Sequence, residues 1–139
     1  MKHIFGTGRS RILDRGRDNT QARGNAAEQL AARFLTRQGL ITLARQVRCR
    51  RGEIDLICQD RDTLVFVEVR LRTPGRFGDA ATSITPTKQR RIIAAARWWL
   101  ANTGRAHATR PMRFDAVLMD RLDEAAIIWI CGAFETDSS

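Results

Sequence analysis

Apolar residues fall into two periodic patterns along this chain of 139 residues. Over residues 22–38, Ala27, Leu30, Ala31, Phe34 and Leu35 recur three and four positions apart, the spacing of one helix face. Gly39 supplies the left-handed stop that commonly ends a helix. The period then changes. Residues 41–48 alternate loosely as a first strand, Arg50-Arg51-Gly52 reads as a tight turn, residues 53–59 form a second strand, and Asp60-Arg61-Asp62 turns the chain into a third strand over 63–71. The second and third strands carry apolar residues on both faces: Ile54, Leu56 and Cys58 against Ile57, and Val65, Val67 and Val69 against Leu64 and Phe66. Strands of that kind are covered on both sides, so helices are expected above and below the sheet.

Residues 73–85 hold Pro74, Gly75 and Gly78 and read as a loop of functional length. Thr85-Pro86 opens a second helix with a polar cap and a proline at its first position. Its buried stripe is Ile92, Ile93, Ala96, Trp99 and Leu100, and Asn102 and Gly104 end it. Two short strands, 112–119 and 126–131, flank the turn Asp120-Arg121-Leu122-Asp123. Of Trp98 and Trp99, one is expected in the core and the other half-exposed. Residues 1–20 are basic and polar and read as a flexible arm able to touch nucleic acid, and 136–139 as a frayed tail. The order helix, three strands, helix, two strands predicts a single three-layer α/β domain over 21–135.

Charge narrows the class of partner. There are 24 basic against 15 acidic residues, a net charge of +9, and the only lysines are Lys2 and Lys88. An arginine excess suits bidentate contact with phosphate, and equally reflects an arginine-rich proteome. The field of the whole chain favours a polyanion such as nucleic acid, or an anionic membrane surface, over a small neutral ligand. Cys49, Cys58 and Cys131 form no CxxC pair, and His3 and His107 have no ligand-like spacing, which argues against zinc and fits a reducing cytoplasm. No run is apolar enough for a secretory signal or a membrane span.

The candidate chemistry lies in acids planted within core strands. Glu53 and Asp55 share one face of the second strand, and Glu68 and Arg70 one face of the third. If those faces coincide, Asp55 and Glu68 converge, and two close carboxylates suit a hard divalent cation, Mg²⁺ or Mn²⁺. Glu28 falls on the buried stripe of the first helix with Gly24, Ala27, Ala31 and Leu35, small neighbours that leave it room to reach the sheet. Plainer readings stand beside these. Asp55 and Glu68 can be partners of Arg48, Arg50 or Arg70 in a structural ion-pair network, Glu28 a boundary residue bonded to an arginine, and Glu53 solvated. Lys88, Arg90, Arg91 and Arg97 read as a wet helix face or as phosphate contacts.

The ordered set Gly24, Ala27-Glu28, Ala31, Gly52-Glu53-Ile54-Asp55-Leu56-Ile57, Val65-Phe66-Val67-Glu68-Val69-Arg70, Lys88 and Arg113-Phe114-Asp115 resembles the YraN family of small bacterial proteins. That family is similar to archaeal Holliday-junction resolvases of the restriction-endonuclease-like, PD-(D/E)xK superfamily. The resemblance implies a three-layer αβββαβ core with a central mixed sheet and a nuclease acting on branched or structured DNA. It also implies a homodimer where both strands of a junction are cut. Asp55 and Glu68 would bind the metal with help from the Val69 carbonyl, and Glu28 would hold a water on the metal or a second ion. Arg48, Arg51, Arg72, Lys88 and Arg91 are the expected nucleic-acid contacts. One residue departs from the family pattern: the lysine two positions after the second acid is Arg70 here, which can stabilise charge but cannot act as a base. Three accounts follow: Arg70 clamps phosphate while the metal activates water, Lys88 substitutes from the second helix, or catalysis is lost and the chain is a nucleic-acid-binding module.

Overall fold

The computed structural model describes residues 8–72 and 84–136, with side chains from residue 19 onward. Helix α1, Gly8–Arg37, is longer than its apolar stripe. It runs through most of the stretch read as an arm, extending from the packed segment towards the N-terminus through residues that show no sustained apolar stripe. Its C-terminal half buries apolar side chains, among them Ala27, Ala31 and Leu35. Gly39 ends it with φ of +100°, and the Leu40 N–H returns to the Leu35 carbonyl at 3.0 Å. The expectations for residues 1–7, for most of the 73–85 loop and for the last three residues lie outside the described residues.

Strands β1 (Ile41–Cys49), β2 (Gly52–Asp60) and β3 (Thr63–Leu71) form an antiparallel meander. Helix α2, Pro86–Ala101, then carries the chain to β4, Met112–Met119, which lies parallel to β3. Strand β5, Ile128–Phe134, pairs antiparallel with β4, so the mixed sheet has the order β1-β2-β3-β4-β5. It begins two residues later than its hydrophobicity suggests. Glu124–Ala126 winds into a single 3₁₀ turn instead, capped by the Asp123 carboxylate, which accepts from the Ala125 N–H at 3.0 Å.

Each face of the sheet has its own helix and its own core. Ala27, Ala31 and Leu35 of α1 pack with Leu56, Cys58, Val65, Val67 and Val117. On the other face, Ile92, Ala95, Ala96 and Trp99 of α2 pack with Ile57, Leu64, Phe66, Phe114 and Leu118. This is the three-layer, restriction-endonuclease-like α/β arrangement. Trp99 is 5% exposed, edge-on to Phe66 and stacked on His107, whereas Trp98 is 44% exposed, as the helical stripe predicts. Thr85 caps α2, its hydroxyl accepting from the Lys88 N–H at 3.1 Å. No helix among the described residues is long and apolar enough to cross a membrane.

The position of α2 along the sheet is set at Gly52, which follows the two-residue turn Arg50-Arg51 and pairs with Cys49. A Cβ at Gly52 would collide with the backbone carbonyl of Arg91. Gly24, inside α1, differs, for a Cβ there would touch nothing within 4 Å. Gly52→Ala is therefore expected to destabilise the protein by about 2–3 kcal/mol. Gly24→Ala should stabilise it by about 0.5–1 kcal/mol through helix propensity alone. Equal and small shifts of the urea midpoint in the two variants would contradict the close packing at Gly52.

Candidate active site

Strands β2 and β3 pair with Leu56 opposite Val67, so the next step of the register sets Asp55 beside Glu68. Glu68 lies two positions from Phe66 of the α2-side core, and Asp55 meets it from the neighbouring strand. Glu68 is only 7% exposed, and Asp55 is partly buried. The Asp55 carboxylate accepts the Val69 N–H through Oδ2 at 2.8 Å, a bond that fixes its orientation at the strand ends.

Strict alternation fails at this point, and the failure brings in the third acid. Ile54 joins Ile57 in the α2-side core, although three positions of regular strand would put them on opposite faces. The register pairs Arg45 with Leu56 and Val47 with Ile54, leaving Gln46 and Asp55 between them. Gln46 has φ of +50°, a left-handed conformation that costs a non-glycine residue roughly 1 kcal/mol. Its side-chain Nε2 donates to Asn25 Oδ1 and to Glu28 Oε1, both at 3.0 Å. The kink in the hairpin thus holds Glu28 of α1 against Asp55, with which it shares a hydrogen bond and a charge interaction.

Lys88 completes the group from the first turn of α2. Its Nζ lies 3.8 Å from Glu68 Oε2 and 3.9 Å from Glu53 Oε2, and Glu53 in turn meets Arg48 Nε at 3.6 Å. Glu53 is therefore a bridge between two cations, where the sequence suggested a solvated side chain. Of the candidate residues, Glu28, Asp55, Glu68 and Lys88 gather at one place, with Arg48 at its edge. Arg70 is half-buried and its charge favours ionised Glu68. Arg72 sits one step further on, its backbone N–H bonded to the Met119 carbonyl at 2.7 Å. Arg51 and Arg91 lie apart, in a groove on the outer side of α2. Gln46 and Asn25 were not evident from residue type, although counting back across the Arg50-Arg51 turn places Gln46 opposite Asp55.

Burial raises the pKa of all three acids. Asp55 is pushed from the usual 3.8 to about 7, by burial first and then by the Glu68 charge, with the Val69 N–H opposing. Glu68 is likewise raised by burial, against the pull of Lys88, so the two neighbouring acids titrate as a pair. Glu28 is also raised by burial, while the Gln46 amide opposes the shift. Among the described residues no three His, Cys, Asp or Glu side chains form a ready metal cage. The donor chemistry still fits a hard divalent ion: two adjacent oxygen donors repel one another until a proton or a cation comes between them.

Asp115 gives the contrast. It is fully buried and accepts from Arg113 Nε, the Trp129 indole N–H and the Gly132 N–H at 2.9 to 3.2 Å, while Arg113 also grips Asp60. Every lone pair there is engaged, which marks a structural acid. Asp55, Glu68 and Glu28 are instead pressed on one another, and a groove of about 480 Å³ lined by Gly24, Asn25, Glu28, Gln46 and Arg48 opens beside them.

The model of uncharacterised protein family UPF0102 matches residues 27–119, a span that includes all three acids and Lys88. The chain belongs to this family. It is 50% identical over 117 residues to a UPF0102 protein of Nitrosococcus oceani, covering 84% of this chain and 94% of that protein. A UPF0102 protein of Nitrosomonas europaea is 51% identical over 113 residues, 81% of this chain and 93% of its own length. One from Cupriavidus taiwanensis is 49% identical over 122 residues, with 86% and 87% covered. The YraN-like membership expected from the motifs therefore holds for this UPF0102 chain.

The raised Asp55 pKa fixes the sign of a pH effect. Folded protein keeps a proton that the unfolded chain gives up above about pH 4, so this stabilisation is full below that pH and is lost as pH rises towards 7. In chelator-treated protein, wild type should lose about 2 kcal/mol relative to Asp55→Asn between about pH 5 and 7.5. Parallel pH–stability curves for the two proteins would show that Asp55 and Glu68 do not share a proton.

Proposed function

We propose that this UPF0102 protein is a divalent-metal-dependent endonuclease that hydrolyses phosphodiesters in structured or branched DNA. The observation that carries the proposal is the meeting of Glu28, Asp55 and Glu68, from three different elements, with the Lys88 ammonium beside them in a protein of net charge +9. Such a group is costly for the fold and suited to a cation and a phosphate.

Asp55 and Glu68 hold Mg²⁺ or Mn²⁺ in this reading, with Glu28 on the outer side. When bound, the ion supplies Lewis acidity to the phosphodiester and lowers the pKa of water. The chain's own groups do the rest. The Val69 N–H fixes the Asp55 carboxylate, and the Gln46 amide holds Glu28 in reach of it. Lys88, steadied between Glu53 and Glu68, presents a positive charge to the phosphate as charge develops on it. It takes the place that the resembled nucleases give to the lysine replaced here by Arg70, and Arg70 adds a second fixed charge next to Glu68.

A second reading, a DNA-binding module without catalysis, draws on Arg70 alone. The two part in a single assay of four-way junction, flap and single-stranded DNA with Mg²⁺ or Mn²⁺. Cleavage is expected from wild type, with losses of about 100-fold or more in Asp55→Asn and Glu68→Gln and a larger loss in Lys88→Ala than in Arg70→Ala. Binding without cleavage, together with no heat of Mn²⁺ binding dependent on Asp55, supports the module instead. Wild type that cuts none of these DNAs, or Asp55→Asn that cuts as well as wild type, refutes the enzyme.

A further inference from the structure

The outer side of α2 carries a second basic feature that the carboxylate site does not use. A groove of about 750 Å³ is lined by Arg51, Arg90, Arg91 and Arg97 over a floor that includes Ile93 and Ala94, with Glu135 as its one acid. None of these four arginines forms an ion pair with a described acidic residue, whereas Arg37, Arg48, Arg113 and Arg121 each do. Arg90 leans on the Thr87 hydroxyl at 3.2 Å, which leaves the rest of its guanidinium open to the groove. Four like charges gathered round one groove repel one another, and a run of backbone phosphates is the ligand that relieves them.

Position on the helix makes this more than an extension of the first site. At about 100° per residue, Arg90 and Arg97 lie about 200° and 180° round from Lys88, on the side of α2 away from the acids, while Arg91, about 60° from Lys88, and Arg51 of the hairpin turn close the end of the groove nearest them. A duplex bound at the acids cannot also enter the groove without wrapping a helix only about 10 Å thick, which is far tighter than the roughly 150-base-pair persistence length of DNA permits. Two seats on opposed sides of one helix suit two duplex arms that diverge from a common point.

We infer that the arginine groove is a second DNA-backbone seat, that one molecule holds two arms of a branched DNA at once, and that branched DNA is therefore preferred to linear duplex. This deepens the proposed function, but its readout is binding and does not require cleavage. Fluorescence anisotropy is measured in the Asp55→Asn background, with a four-way junction and a linear duplex of equal length, for the chain with and without Arg90→Gln/Arg97→Gln. The junction should bind about 10-fold or more tighter than duplex through effective concentration. The double substitution should erase most of that preference and lower the salt slope for the junction by about 1.8, while duplex affinity falls no more than about twofold because the other seat remains.

Both arginines are exposed, so an unchanged Tm shows that the fold survives the substitution. Equal affinity for junction and duplex in the parent overturns the inference, as does an unchanged preference after substitution. An equal, large loss for both DNAs overturns it too, because that describes one common phosphate surface. A groove serving an anionic membrane would leave DNA binding unchanged and lower co-sedimentation with phosphatidylserine vesicles, which likewise refutes it. Absence of cleavage by wild type bears on the proposed enzyme and leaves this result standing.

Discussion

Helix α2 lies as low as it does on the β1–β2 hairpin because residue 52 has no side chain. The backbone of Arg91 occupies the space that any Cβ at Gly52 would take, and that contact sets the height of the helix on the sheet. Lys88 stands one turn earlier, and its Nζ reaches Glu68 and Glu53 from this seat. A shift of α2 by even 1 Å would lengthen contacts already near 3.9 Å past any useful ion pairing. A packing constraint between two backbones thus decides an electrostatic one between side chains.

The site has a different character from the rest of the polar interior. Around Asp115, burial is offset by donors on all sides, and the carboxylate ties β4 to β5 through Trp129 and Gly132. Around Asp55 and Glu68 the arrangement differs: the Val69 N–H holds Asp55, the Lys88 ammonium and the Arg70 charge lie by Glu68, and Glu28 adds a third acid held by the Gln46 amide. The same chain builds both arrangements, so the meeting of three acids is not a limit of what the fold can supply. Acids pressed together at the mouth of a groove are what the proposed metal site draws on.

Much of this was legible in the sequence. The period-two runs located the strands of the meander, the apolar residues on both of their faces required two covering helices, and Thr85-Pro86 and Gly39 marked helix ends. The antiparallel pairing that brings Asp55 to Glu68 follows from short turns. Two things were hidden. The length of α1 was hidden because the sequence before Ala22 carries no sustained apolar stripe, so hydrophobic spacing has no purchase there. The kink at Gln46 was hidden because glutamine carries no conformational signal for a left-handed backbone, yet it is this residue, between the Arg45–Leu56 and Val47–Ile54 pairs, that bonds Glu28 beside Asp55. Lys88 could be noticed as one of two lysines, but its reach depended on the close approach at Gly52, a property of packing that residue type does not encode.

The acids at 28, 55 and 68 and the lysine at 88 are contributed by α1, β2, β3 and α2, elements that together run from residue 8 to residue 101. None of the pairings among them is local apart from the hairpin contact of Asp55 with Glu68, and Lys88 arrives only after the crossover helix has docked. During folding, the repulsion among the carboxylates is therefore postponed until the hydrophobic layers on both faces of the sheet are in place to bear it. A nascent or partly unfolded molecule carries four scattered polar side chains with no collective chemistry, and whatever reactivity the group possesses is switched on by the completion of the fold itself.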